Sequence, residues 1–268
     1  MHMIIDGKSI AENITVRLRE KRTDKFLAVF FVGDNAASKS FINQKEKTAH
    51  SLGIDFRVYH FPAENVTNES LRKEIENIVT DTMCGGAIVQ LPLPEGFDVQ
   101  YVLDSIPKEK DIDVLSKDAV EAFYGGENRI VPPPVGVVRE IIKDISLEEK
   151  TVAVIGVGRL IGNPIAGWLK GKCKELTVLR RGSDLGIIKN ADIVISGTGV
   201  PNLIHSDMVK EDALIIDFGY GKKDGELCGD FDFTSLPETS HIAYTPTPGG
   251  TGPVLVVKLM ENFFSLAT

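Results

Sequence analysis

Lys45 stands where a helix would not ordinarily carry an ammonium group. Residues 35–52 have helical spacing, and at about 100° per residue Phe41, Ile42, Lys45, Thr48, Ala49 and Leu52 share one arc. Asn43, Glu46, Lys47 and His50 point the other way. An apolar setting disfavours a charged amine and so brings proton transfer within its reach. Two further polar groups sit in telling positions. Gln90 ends the apolar run "GGAIVQ" (85–90) just before the proline-stiffened "LPLP". An amide there can line a cleft, or it can cap its own turn. "KEKDIDVL" (108–115) sets Asp111 and Asp113 before an apolar pair and, on its own, reads as a charged loop.

A second group of residues suits a phosphate. "TVAVIGVGRLIGNPIAGWL" (151–169) reads as a strand, a glycine turn and a helix start. Gly156 and Gly158 allow a sharp turn and close approach to a pyrophosphate, with Gly162 near the helix start. Asn163 is expected to cap that helix and Pro164 to suit its first turn. The spacing is GxGxxxG, so a tight turn without a ligand is the other reading. An NAD site presents an acid about 20 residues further on. Here "LTVLRRGSDL" presents Arg180, Arg181 and Ser183, with no acid before Asp184. Two guanidinium groups and a hydroxyl fit a 2′-phosphate, which favours NADP over NAD. Solvated surface arginines are the alternative. Gly197 and Gly199 in "SGTGVPN" (196–202) can line the cofactor site or form a plain loop. The dense glycines and prolines of "TPTPGGTGP" (245–253) suggest a fixed loop against a flat ligand.

The elements that must hold these residues alternate along the chain. Strands are expected at 26–32, 54–61, 85–90, 151–156, 176–179, 192–196 and 213–219. Helices are expected at 8–21, 67–79, 135–146, 163–172 and about 253–264. Strands apolar on both faces, alternating with helices, imply a parallel sheet covered by helices. Three consecutive prolines in "RIVPPPVGVV" (129–138) are expected to form a stiff connection between two domains.

Composition narrows the function classes. The chain has 268 residues, 43% hydrophobic and 25% charged, as in ordinary globular proteins. Its formal net charge of -8, without a basic block, argues against non-specific nucleic-acid binding. Cys84, Cys173 and Cys228 are scattered and form no CxxC pair, which suits a reducing cytoplasm and neither a disulfide framework nor a zinc site. No cluster of His, Asp and Glu suggests a metal. No stretch reaches the length of a membrane span, so no membrane partner is expected.

Taken in order, "IDGKSIA", "GDNAASKSFINQKEK", "VQLPLP", "KDID", "VIGVGRLIGNP", "ADIVISGTGVP", "DMVK", "IIDFG" and "TPTPGGTGP" resemble the bifunctional methylenetetrahydrofolate dehydrogenase/cyclohydrolase family along nearly the whole chain. The resemblance implies an α/β fold of two domains. Residues 1–134 would form an N-terminal folate-binding catalytic domain, completed by a C-terminal helix at 252–268. Residues 135–251 would form a Rossmann-like, parallel-sheet NADP-binding domain, with the active-site cleft between the two. It implies oxidation of 5,10-methylenetetrahydrofolate with NADP, then hydrolysis of the methenyl cation to 10-formyltetrahydrofolate. Tetrahydrofolate derivatives would be its substrates and a homodimer its assembly.

Residue by residue, the resemblance implies catalytic roles for Lys45, Gln90 and Asp113. Phe41, Asp113, Pro248, Gly249 and Gly250 are its substrate contacts. Gly156, Gly158, Arg159, Gly162, Arg180, Arg181, Ser183, Gly197 and Gly199 are its cofactor contacts. Several positions depart from the family pattern. Phe41 replaces a tyrosine and can stack but offers no hydroxyl, so a dehydrogenase that has lost the hydrolytic step is an alternative. Val114 replaces a glycine, and "VPPP" (131–134) stands for P-C-T-P. Val157 replaces an arginine that helps hold the 2′-phosphate. Arg159, Arg180 or Arg181 can compensate for it, and NAD is the alternative cofactor. A dehydrogenase of the same architecture acting on another substrate, or a non-catalytic nucleotide sensor, would give no reason for Lys45, Gln90 and Asp113 together.

Overall fold

The computed structural model describes residues 2–237 and 239–268. In chain order its elements are β1 (Met3–Ile4), α1 (Gly7–Leu18), β2 (Phe26–Val32), α2 (Ala36–Ser51), β3 (Asp55–Phe61), α3 (Asn68–Val79) and β4 (Cys84–Val89). Then follow α4 (Val99–Leu103), α5 (Lys117–Gly125), α6 (Pro133–Ile141), β5 (Thr151–Ile155), α7 (Gly162–Leu169) and β6 (Glu175–Leu179). The chain ends with β7 (Ile193–Ser196), β8 (Leu214–Asp217), β9 (Gly221–Lys223), β10 (Glu226–Cys228), β11 (Ala243–Tyr244) and α8 (Thr251–Ala267). Two compact units emerge, neither contiguous in sequence. The first is Asn13–Pro133 with Val256–Thr268, and the second is Pro134–Leu255 with the chain up to Glu12. The opening segment, expected in the first domain, thus joins the second unit. There β1 pairs in parallel with β11, Met3 opposite Ala243 and Ile4 opposite Tyr244.

The first unit is built on a parallel sheet ordered β3-β2-β4. Every residue of β2, "FLAVFFV", is buried, as a central strand covered on both faces requires. Helix α3 begins with a capping box, in which Thr67 Oγ1 accepts from Ser70 N and Ser70 Oγ accepts from Thr67 N. Its Leu71, Ile75 and Val79 then recur at helical spacing and pack on Phe26, Phe30 and Leu103. The edge strand β3 departs from the both-faces-apolar expectation. Most of it is exposed, and its Arg57–Asp55 ion pair at 2.6 Å keeps the open edge charged. The C-terminal part of α8 closes this unit: Asn262 Nδ2 donates to the carbonyls of Ile112 and Val131, both at 2.8 Å.

The second unit carries a six-stranded sheet ordered β1-β11-β8-β7-β5-β6, every neighbour parallel. From β5 the chain moves outward to β6, then returns to place β7 on the other side of β5. That reversal leaves a crevice at the carboxyl ends of β5 and β7, where ligands of open α/β sheets bind. The proline run is not merely a stiff connection. Pro133 and Pro134 begin α6, because a first helical turn needs no N–H donors and a fixed φ favours it. Helices α1, α6 and α7 also end earlier than their periodicity suggests, at Leu18, Ile141 and Leu169.

Candidate active site

Helix α2 is capped by Asn35, whose side chain accepts from Ser38 N at 3.0 Å. The helix buries Ile42 and Ala49, leaves Phe41, Lys45 and Thr48 half-buried, and exposes Asn43, Lys47 and His50. Glu46, expected on the wet face, is half-buried too. Gln90 follows β4 and is 6% exposed. Lys45 Nζ donates to Gln90 Oε1 at 2.9 Å, while Gln90 Nε2 donates to the Leu91 carbonyl at 2.6 Å. The second bond orients the amide so that its oxygen faces the amine. Burial holds the Lys45 amine below the ordinary lysine range, and the Asp113 carboxylate partly opposes that shift.

Asp113 itself is pushed up to about 6, chiefly by burial and further by Asp111, with Lys45 pulling the other way. Its loop is organised by Asp111, which is 2% exposed and which sequence reading passed over as ordinary. Asp111 Oδ1 accepts from the N–H groups of Asp113 and Val114 at 3.2 and 3.0 Å. Its Oδ2 accepts from the N–H groups of Leu115 and Ser116 and from Ser116 Oγ at 2.7–2.8 Å. Five donors on one carboxylate satisfy a tight turn that is otherwise buried. Within that turn Val114 takes φ +57°, a left-handed conformation unfavourable for a β-branched residue by about 1–2 kcal/mol. The Asp111 bond and burial of the Val114 side chain beside Ala119 and Ile130 hold it there.

In the second unit Gly156 follows β5 with φ +87°. A Cβ added at Gly162 would lie 1.6 Å from the Gly156 carbonyl oxygen, so only glycine lets α7 begin so close to the turn. At Gly158 an added Cβ would meet nothing within 4 Å, leaving the backbone open to approach. Asn163 does not cap the helix as expected. The chain turns at Ile161, no side chain caps it, and Asn163 lies inside the first turn with its N–H bonded to the Gly158 carbonyl. A helix start without a side-chain cap, beside an open glycine turn, fits a pyrophosphate. Gly197 packs against this turn, its carbonyl oxygen 3.0 Å from a Cβ added at Gly156, and Gly199 has φ +69°.

After β6, Arg180 and Ser183 close a turn through Arg180 N to Ser183 Oγ at 3.0 Å and Ser183 N to the Arg180 carbonyl at 2.9 Å. Arg159, Arg180 and Arg181 are all exposed, as both a phosphate site and solvated surface arginines would have them. These residues fit NADP. Pro248, Gly249 and Gly250 belong to the same unit, in the loop before α8, where Gly250 N donates to the Pro246 carbonyl at 2.7 Å. Two buried acids of this unit, Asp217 and Asp230, also escaped sequence reading, since neither lies in a glycine motif. Replacing Gly162 by alanine must displace the turn by an ångström or more. NADP affinity is expected to fall roughly 100-fold, read from the fluorescence of Trp168, the single tryptophan, which lies on α7. Unchanged affinity would remove this turn from the site.

The catalytic-domain model of tetrahydrofolate dehydrogenase/cyclohydrolase matches residues 5–113, and its NAD(P)-binding-domain model matches residues 132–268. The bifunctional protein FolD of Macrococcus caseolyticus is 34% identical over 271 residues, covering 97% of this chain and 95% of that protein. FolD of Exiguobacterium sibiricum is 33% identical over 278 residues and covers both chains completely. Among solved structures, the FolD dehydrogenase/cyclohydrolase of Campylobacter jejuni superposes with a TM-score of 0.94 at 32% identity, covering 100% of this chain and 99% of that one. The Trypanosoma brucei enzyme, solved with NADP cofactor and an inhibitor, gives a TM-score of 0.90 at 29% identity, over 99% and 97% of the two chains. With both family models matched across two α/β units, this chain belongs to the tetrahydrofolate dehydrogenase/cyclohydrolase family.

Proposed function

We infer that the chain oxidises 5,10-methylenetetrahydrofolate to the methenyl cation with NADP and hydrolyses that cation to 10-formyltetrahydrofolate. The observation that carries the hydrolytic half is the 2.9 Å bond from the desolvated Lys45 amine to Gln90. NADP, held by the Gly156–Gly162 turn, the Ser196–Gly199 loop and Arg159, Arg180, Arg181 and Ser183, supplies the hydride acceptor when bound. Phe41 stacks on the aminobenzoyl ring, one helical turn before Lys45. The ionised Asp113 carboxylate accepts hydrogen bonds from the pterin's amino and ring N–H groups and so fixes the one-carbon bridge. The family resemblance assigns Pro248, Gly249 and Gly250 to the substrate as well.

Hydrolysis then proceeds by proton movement. Neutral Lys45 accepts a proton as water attacks the methenyl carbon, then returns it to the ring nitrogen as that C–N bond opens. Gln90 Oε1 takes one amine hydrogen and aims the amine's lone pair. We place this chemistry in a cytoplasmic homodimer supplying one-carbon units to purine biosynthesis. The scattered cysteines support the compartment, and the family resemblance alone supports the assembly.

The test supplies 5,10-methylenetetrahydrofolate and NADP and follows NADPH and the methenyl species by absorbance. NADPH formation with little methenyl accumulation is expected. Stoichiometric accumulation would mean that hydrolysis was lost with the tyrosine hydroxyl that Phe41 lacks. Silence with both NADP and NAD would overturn the folate reading.

A pH dependence follows from Asp113. Its carboxyl must be ionised to accept pterin N–H groups, and it titrates at about 6. The KM for the folate is therefore expected to rise as the pH falls below 6, approaching tenfold per unit. Steady-state kinetics between pH 5 and 8 measure it, and Asp113→Asn should abolish the step. A KM that is level across this range would contradict the role of Asp113.

A further inference from the structure

Beneath the glycine loops of the second unit lie two carboxyls that the mechanism does not use. Asp217 ends β8 and Asp230 precedes Phe231, and both are at most 1% exposed. Asp230 Oδ2 accepts from Ser196 Oγ at 2.5 Å and from Thr198 N at 2.7 Å. It therefore grips both ends of the segment that presents Gly197. Its other oxygen, Oδ1, is buried and has no hydrogen-bond partner. Asp217 Oδ1 accepts from Gly219 N at 2.6 Å and its Oδ2 from Phe231 N at 2.9 Å. The Asp217 backbone is held at both ends as well, its N–H by Thr245 Oγ1 at 2.8 Å and its carbonyl by Thr251 Oγ1 at 2.7 Å.

Glycines make room for this pair. A Cβ at Gly219 would lie 2.3 Å from Asp230 Oδ1, and one at Gly229 would lie 2.0 Å from Asp217 Oδ2. Around the pair run segments 196–199, 202–205, 217–221, 229–231 and 245–251. Their ionisable side chains are Asp217, Asp230, the exposed Tyr220 and the exposed His205, whose ring lies 3.6 Å from Asp232, so these segments bring no lysine or arginine to the acids. Two neighbouring buried carboxyls without a cation of their own do not both stay ionised at low cost.

We propose that Asp230, backed by Asp217, is a positioning residue for the dinucleotide: Asp230 holds the Ser196–Gly199 loop in its binding shape while Asp217 carries a proton. This rests on the reading of that loop as part of the NADP site. Loss of that proton leaves two buried charges together, which favours movement of the loops that cover them. In agreement, burial and the Asp230 charge push Asp217 up to about 7. NADP affinity should then fall as the pH rises past neutrality. The cofactor's own 2′-phosphate, which gains charge above pH ≈ 6, would strengthen binding in the same direction of pH, so the two effects have opposite signs.

The experiment measures the Kd of NADP by calorimetry from pH 6 to 9 for the wild type, Asp230→Asn and Asp230→Ala. Wild-type affinity is expected to weaken about tenfold between pH 6.5 and 8.5, equivalent to one unit's difference in the Asp217 pKa between free and bound states. Asp230→Asn keeps an acceptor for Ser196 and Thr198 but removes the second charge, so its profile should lose that alkaline decline whatever its absolute level. Asp230→Ala removes the grip and should bind weakly at every pH. A merely structural Asp230 would leave the shape of the profile alone. Wild-type affinity that holds or improves up to pH 9 overturns the proposal, and so does an alkaline decline that survives in Asp230→Asn. If a variant does not fold, the wild-type profile decides together with the carboxyl ¹³C resonances, one of which must titrate near neutrality. Failure of the wild type to bind NADP at any pH would instead overturn the dinucleotide reading itself.

Discussion

Lys45→Met is expected to slow hydrolysis of 5,10-methenyltetrahydrofolate by about 10²–10⁴-fold, the usual contribution of a positioned acid–base group. Methionine nearly matches the lysine stem in length and is at home in the apolar arc with Ile42 and Ala49. It also ends the cost of desolvating an amine. The variant should therefore fold at least as well as the wild type, and lost activity would report chemistry. Hydride removal needs no proton from Lys45, so NADPH should still appear while the methenyl species accumulates in the same cuvette. Gln90→Leu should act in the same direction with a smaller effect, because it removes the group that aims the amine and leaves the amine itself. Hydrolysis by Lys45→Met at the wild-type rate would remove the lysine from the mechanism.

The second large effect is expected at Asp111. Alanine there leaves three backbone N–H groups and the Ser116 hydroxyl without their acceptor in a buried turn, and leaves the Val114 N–H with only the backbone carbonyl of residue 111 at 3.3 Å. Removing the buried charge returns part of that loss, because the carboxyl has itself been desolvated. A net cost of about 3–5 kcal/mol is the scale for breaking such a network. At about 3 °C per kcal/mol for a unit of this size, the midpoint of thermal unfolding should drop by roughly 10 °C. Calorimetry reads it, and Asp111→Asn, which keeps one acceptor oxygen, should fall between. The left-handed Val114 loses one of its restraints in the same variant, so folate KM should rise along with the loss of stability. A melting point within a degree or two of wild type would mean that water or a neighbouring group replaces the carboxylate.

Lys45 was legible in the sequence because a helix makes side-chain direction periodic, and one charged residue in an apolar arc breaks the pattern visibly. The strands were legible for a similar reason, since a covered parallel strand reads as an unbroken apolar run such as "FLAVFFV". Asp111 was not legible. Its role is to accept from N–H groups two to five residues ahead, and hydropathy carries no signal for that. Asp230 was hidden by distance, its partners Ser196 and Thr198 lying more than thirty positions earlier. The prolines at 132–134 misled because the same fixed φ that breaks a helix interior also starts a helix. Asn163 misled because the helix turns two residues earlier, at Ile161, which puts Asn163 inside its first turn.

The chain enters and leaves its two units three times, after Glu12, after Pro133 and within α8 after Leu255. That threading bears on how such a protein can change over generations. A single genetic crossover in the proline run would carry away a dinucleotide unit without its edge strand β1. It would also import the foreign half of α8, whose Asn262 must reach the carbonyls of Ile112 and Val131. Exchange of either half for that of a distant relative needs three coordinated breakpoints. Point substitution leaves all three crossings in place and meets no such requirement.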